Sequence, residues 1–97
     1  MRMMLRARLD THITNELLEN GTMAQLMQSI LEQLKPEAAY FHPYEGGRTC
    51  TLVFDMQDSS QLPAITETFF QKLGAEIEIH PAMNVEDMQE GLAALRK

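Results

Sequence analysis

The stretch Ala38-Ala39-Tyr40-Phe41-His42-Pro43-Tyr44, then Glu45-Gly46-Gly47, then Arg48-Thr49-Cys50-Thr51-Leu52-Val53-Phe54-Asp55-Met56 decides the fold. Its second half is rich in β-branched and aromatic residues, which suit a pleated, half-buried surface. The Glu-Gly-Gly segment is turn chemistry, so the whole reads as a β-hairpin. Successive side chains of a strand point to opposite faces. Ala39 and Phe41 therefore share one face, and Ala38, Tyr40, His42 and Tyr44 the other. In the second strand Cys50, Leu52 and Phe54 form the apolar face, opposite Thr49, Thr51, Val53 and Asp55.

The same alternation appears on both sides of the hairpin. From Arg2 to Leu9, Met3, Leu5, Ala7 and Leu9 fall on one face and Arg2, Met4, Arg6 and Arg8 on the other. From Ala75 to Met83, Ile77 and Ile79 turn inward and Glu76, Glu78 and His80 outward. Between strands the period changes. Met23, Leu26, Met27, Ile30, Leu31 and Leu34 recur at helical spacing, Thr22 to Gln25 has the spacing of a capping box, and Pro36 ends the run. A shorter piece containing Ile13 and Leu17 precedes it, with Asp10-Thr11 as the predicted cap and Asn20-Gly21 as the break. Leu62, Ile65, Phe69 and Leu73 mark a further helix opening at Asp58-Ser59-Ser60 and closing at Gly74. Asn84 caps a last one, with the stripe Val85, Met88, Leu92 and Leu95.

The order β-α-β-β-α-β-α predicts an α+β, ferredoxin-like βαββαβ unit with an extra C-terminal helix. Right-handed crossovers give a four-stranded antiparallel sheet of order 4-1-3-2, with both long helices on one face. The other face carries arginines, tyrosine, histidine, threonines and glutamates beside Met4 and Val53. It is too mixed for a dry core and too apolar in places for a plain wet surface. Two subunits setting these faces together, as in a dimeric α/β barrel, is the expected solution, so the expected partner is a second copy of the chain.

A chain of 97 residues is read as a single domain, 1–97. The formal charge of −6 argues against nucleic acid, which usually requires a basic face. Cys50 is the lone cysteine, so neither an internal disulfide nor a Cys-pair metal site is expected, and a reducing cytoplasm suits it. No apolar run approaches the ~20 residues of a membrane span, and no signal peptide is recognisable. No motif for a cofactor is present.

Met3-Met4-Leu5-Arg6-Ala7-Arg8, Glu19-Asn20-Gly21-Thr22, Lys35-Pro36-Glu37-Ala38-Ala39-Tyr40-Phe41, Val53-Phe54-Asp55-Met56 and Met83-Asn84-Val85-Glu86-Asp87-Met88 resemble a family of small bacterial domains of unknown function. The resemblance implies membership of the dimeric α/β-barrel superfamily, whose other members include muconolactone isomerases, cofactor-free monooxygenases and stress-induced proteins. It carries no catalytic motif, and a fold by itself does not assign a reaction.

The candidate ligand-binding residues are Arg6, Arg8, Tyr40, His42 and Thr51, all on the face away from the helices. A guanidinium fork suits a carboxylate or phosphate; cross-strand pairing with Glu76 and Glu78 is the structural alternative. Tyr40, His42 and Asp55 are the catalytic candidates, as groups that move protons. His42 and His80 lie on opposite edge strands about 14 Å apart, so one subunit cannot join them on a metal and none is expected. His12 and Glu16 have the i,i+4 spacing of a helix surface pair. Three functions follow: a dimer binding a small acidic molecule, aliphatic or aromatic, between its sheets; an isomerase- or monooxygenase-type enzyme using His42, Tyr40 or Asp55; and a structural or regulatory dimer whose polar face is filled by its own ion pairs.

Overall fold

The computed structural model describes residues 1–96; Lys97 lies outside the described residues. The strands are β1 (Arg2–Arg8), β2 (Ala38–Tyr44), β3 (Gly47–Asp55) and β4 (Glu76–Pro81). The helices are α1 (Thr11–Glu19), α2 (Met23–Leu34), α3 (Leu62–Leu73), entered through a 3-10 turn at Ser59–Gln61, and α4 (Val85–Ala94). The sheet order is β2-β3-β1-β4 with every pairing antiparallel. This is the expected 4-1-3-2 order read from the other edge.

The register sorts the side chains as alternation requires. Leu5 lies between Leu52 and Ile79, and Ala7 between Cys50 and Ile77. Leu5, Ala7, Cys50 and Leu52 retain no exposed area, and Ile30, Leu34, Ile65, Phe69 and Leu73 from α2 and α3 close over them. The hairpin turn is tighter than the expected three residues. Tyr44 pairs with Gly47, leaving Glu45 and Gly46 at φ 49° and 79°. Two successive left-handed residues form the type I′ turn that matches strand twist, so β3 starts one residue early, at Gly47.

The helix ends follow local chemistry in most places. The Asp10 carboxylate accepts from the Ile13 amide at 2.9 Å, and Asn84 and Asp87 exchange bonds as a capping box. The Asp58 carboxylate caps the 3-10 turn; the Ser60 hydroxyl and amide hold it below its usual pKa. Thr22 departs from expectation. Its side chain caps nothing on α2 and instead donates to Asn20 Oδ1 at 2.6 Å, because Asn20 lies nearer to it in the Gly21 bend. Leu18 of α1 is exposed, and the fully buried residue of α1 is Thr14.

Two apolar surfaces expected to pack are left open. Phe41 is on the helix side of edge strand β2, opposite Cys50, yet is 55% exposed because α2 does not extend over it. On α4, Val85, Met88, Leu92 and Leu95 are 64, 41, 54 and 80% exposed. This helix projects from the body. The chain measures 58 Å along its longest axis, and its radius of gyration is 15.6 Å, against about 13 Å for a compact domain of this size.

Gly74 ends α3 at φ 55°, where an added Cβ would lie 2.7 Å from Ile13 Cδ1; Gly21, at φ 77°, has open space around it. Gly74→Ala therefore combines backbone strain with a clash against α1, and should cost about 2–3 kcal/mol in urea unfolding, against about 1 kcal/mol for Gly21→Ala. Equal losses would show that the α1–α3 contact is looser than described.

Candidate functional site

The open face is built from rows of side chains crossing all four strands. One row is Glu78–Arg6–Thr51–Tyr40 and the next is Glu76–Arg8–Thr49–His42. Period two places Arg2, Arg6 and Arg8 of β1 on this face, and antiparallel pairing with β4 sets Arg6 and Arg8 each beside a glutamate. Arg6 Nη2 lies 2.5 Å from Glu78 Oε2, and Arg8 Nη2 lies 2.9 Å from Glu76 Oε2. The Glu76 carboxylate holds the Arg8 guanidinium above its usual pKa, chiefly through that hydrogen bond. Arg2 pairs with Glu37 at 2.5 Å and with Asp87 of α4 at 3.2 Å.

The two partners in each central pair are held unequally. Arg6 lies under the Tyr44 ring, its guanidinium carbon 4.0 Å from the ring centroid. The stem of Arg8 packs over Gly47, where a Cβ would come within 3.0 Å of it. Arg8 Nε is buried without a hydrogen-bond partner. Side chains of Arg6 and Arg8 are 35% and 31% exposed, whereas Glu78 and Glu76 are 61% and 74% exposed. The cations are packed in place, and the anions sit loosely on an edge strand. A hollow of about 200 Å³ opens here, bounded by Arg6, Arg8, Tyr44, Glu45, Glu76 and Glu78.

The other candidates are distributed differently. His42 Nε2 is 2.8 Å from Thr51 Oγ1, and Nδ1 is 3.1 Å from the Pro43 carbonyl. A carbonyl can only accept, so Nδ1–H donates to it, and in the neutral ring Thr51 Oγ1 donates to Nε2. Tyr40 is 68% exposed. Asp55 pairs with Arg2 across the ladder and accepts from the Met1 amine at 2.8 Å. Six residue steps along β3 separate it from Thr49, the cross-strand partner of His42, which is about 20 Å. Arg6, Arg8, Thr51 and His42 thus share adjoining rows, and Asp55 belongs to the opposite end of the sheet. Tyr44, rather than Tyr40, covers an arginine. Its alternation with His42 on one face was visible in the sequence; its lean back over Arg6 was not.

The match to a family model covers residues 1–96, and the family is described as a domain of unknown function, DUF3303. The chain belongs to that family. A search of curated proteins finds no match. Among solved structures, the chain is similar to the de novo designed protein Ferredog-Diesel, with a TM-score of 0.48, 9% identity, and 84% of this chain and 85% of that chain covered.

Elsewhere, His12 and Glu16 form an exposed i,i+4 pair at 3.4 Å. No helix among the described residues is long and apolar enough to cross a membrane, and no three His, Cys, Asp or Glu side chains among them cluster as metal ligands. Cys50 faces the helices with no exposed area, and burial pushes its thiol up to about 11. Only the thiolate attacks thiol reagents readily. Native protein at neutral pH should therefore leave Cys50 unmodified by a chromogenic disulfide reagent, and unfolding in urea should release one reactive thiol. Rapid labelling of the native protein would contradict this placement.

Proposed function

We propose that this protein is a homodimeric binding domain, in which two copies set their open sheet faces together and a small acidic molecule, preferably aromatic, occupies the space between them. The observation that carries the reading is the unequal hold on the two central ion pairs. Exposed ion pairs contribute only ~0–1 kcal/mol. An incoming carboxylate can displace Glu76 or Glu78 at little cost, and a guanidinium already fixed by packing loses little freedom on binding it. The Tyr44 ring over Arg6 supplies a flat apolar surface for an aromatic acid. Thr51, His42 and Tyr40 lie on the adjoining strands as polar and stacking partners.

Dimerisation is supported by the makeup of the same face. Met4, Val53 and Ala38 form one row of it, and Tyr40 is largely exposed beside them. Four strands of about seven residues give a flat footprint of roughly 19 by 23 Å. A stable interface buries about 800 Å² per partner, so the face needs more contact area than its flat extent. The Arg2–Asp87 pair roots α4 beside it, and the exposed stripe of that helix is available to enlarge the contact. Isomerase- or monooxygenase-type chemistry is less well supported: both His42 ring nitrogens are engaged and Asp55 is distant. A lone buried thiol agrees with a reducing cytoplasm.

The test is a thermal-shift screen of small aromatic and aliphatic acids with sedimentation on the same samples. The protein should sediment as a dimer at micromolar concentration. An acid at 100 times its dissociation constant should add about 2.7 kcal/mol of stability. That gain should shrink in Arg6→Ala or Arg8→Ala, and Glu78→Gln, by removing the competing anion, should strengthen binding. A monomer, or hits indifferent to all three substitutions, would remove the basis for this function.

A further inference from the structure

The uncovered side chain of Phe41 opens a second site, on the helix side of the sheet. Between α2 and the hairpin lies a cleft of about 630 Å³, a volume within the usual range for small-molecule sites. Leu9, Met23, Met27, Phe41, Pro43 and Arg48 line it, and its edge includes Thr11, His42 and Thr49. It exists because β2 is an edge strand and α2, entered through the Gly21 bend, stops short of covering it.

Arg48 is held unlike the other strand arginines. Its Nη1 donates to Thr14 Oγ1 at 2.7 Å and reaches the Thr11 carbonyl at 3.4 Å. Thr14 has no exposed area, and its own hydroxyl proton goes to the Asp10 carbonyl at 2.8 Å. A buried hydroxyl thus fixes one arm of the guanidinium. Arg2, Arg6 and Arg8 each have a carboxylate partner; among the described residues Arg48 has none within 4.0 Å. A guanidinium has five N–H donors in a rigid fork, so donors remain for a ligand.

We infer that this cleft binds an amphipathic monocarboxylic acid, its alkyl or aryl part between Met23, Met27 and Phe41 and its carboxylate on Arg48. Methionine walls adapt to irregular apolar shapes and contact aromatic rings favourably. Arg48 is the one guanidinium or ammonium group among the lining residues, whose other polar side chains are Thr11, His42 and Thr49; one such cation suits one negative charge, and a second would be buried without a partner. The net charge of −6 also disfavours multiply charged ligands. The cleft and the Arg6–Arg8 hollow have no lining residue in common: Arg48 and Phe41 lie on the helix side of the sheet, and the cleft reaches the open face only at its His42–Thr49 edge.

The experiment is an NMR titration of full-length protein carrying carbon-13 labelled methionine methyls, with 4-phenylbutyrate as probe and 4-phenylbutanol as its uncharged counterpart. The Met23 and Met27 methyls should shift saturably while Met3 and Met56, buried elsewhere, stay in place. The alcohol should bind at least about tenfold more weakly, and Arg48→Gln should weaken the acid by about tenfold or more. Arg48→Lys, which keeps the charge and loses the fork, should fall between. Met27→Trp, which fills the cleft, should abolish binding even if Arg48→Gln proves poorly folded. Arg6→Ala, which touches no lining residue of the cleft, should leave this binding unchanged, so failure here and failure of the site between the sheets are distinguishable. Absence of shifts at millimolar acid, equal binding of acid and alcohol, or binding that survives Met27→Trp would overturn the inference. So would concentration-dependent shifts of Met23 and Met27 without ligand, which would mean that a second copy fills the cleft.

Discussion

The structure depends on the position of β1 between β3 and β4. Leu5 and Ala7 of β1 are fully buried, and Arg6 and Arg8 alternate with them. A slip of one residue would turn both guanidinium groups into the core and both apolar side chains out of it. Burying an unpaired charge costs several kcal/mol even after relaxation, so the register has a single acceptable value. With β1 fixed, the positions of β3 and β4 follow, and so do the rows that run from Glu78 and Glu76 to Tyr40 and His42.

That register also explains how a chain of net charge −6 presents arginines along the centre of a sheet. The cations are on a central strand, where neighbours on both sides and the Tyr44 ring restrict them. The anions are on an edge strand, where solvent competes for them. The pairs add little to stability for that reason, but they keep the face neutral without closing it. Arg8 Nε, buried and unbonded, is the point where the internal pairing is incomplete.

The helix side is covered unevenly. α3 lies firmly on the sheet, with Ile65, Phe69 and Leu73 buried. α2 contributes Ile30 and Leu34 from its second half, while Met23 and Met27 near its start remain half-buried. The Arg48–Thr14 hydrogen bond connects the start of β3 to α1 across this thinner region. α4 buries none of its residues. Its apolar stripe and the Phe41 cleft both leave apolar surface open to a partner or ligand.

Some of this was determined by the sequence alone, because some interactions reach only a few residues along the chain. Alternation divided Met3, Leu5 and Ala7 from Arg2, Arg6 and Arg8. Asp10 and Asn84 announced the helices they cap, and Gly74 the end of α3. With the element order, these give the fold and place both arginines on the open face. Tertiary structure decided which long-range partners were realised. Arg6 meets Glu78 across 72 positions and Arg48 meets Thr14 across 34; local patterns suggest the first pair only after a topology is assumed, and the second not at all. The exposure of Phe41 and of the α4 stripe was likewise hidden. An apolar residue in period shows which face it belongs to, but whether that face is covered depends on where a distant helix comes to rest.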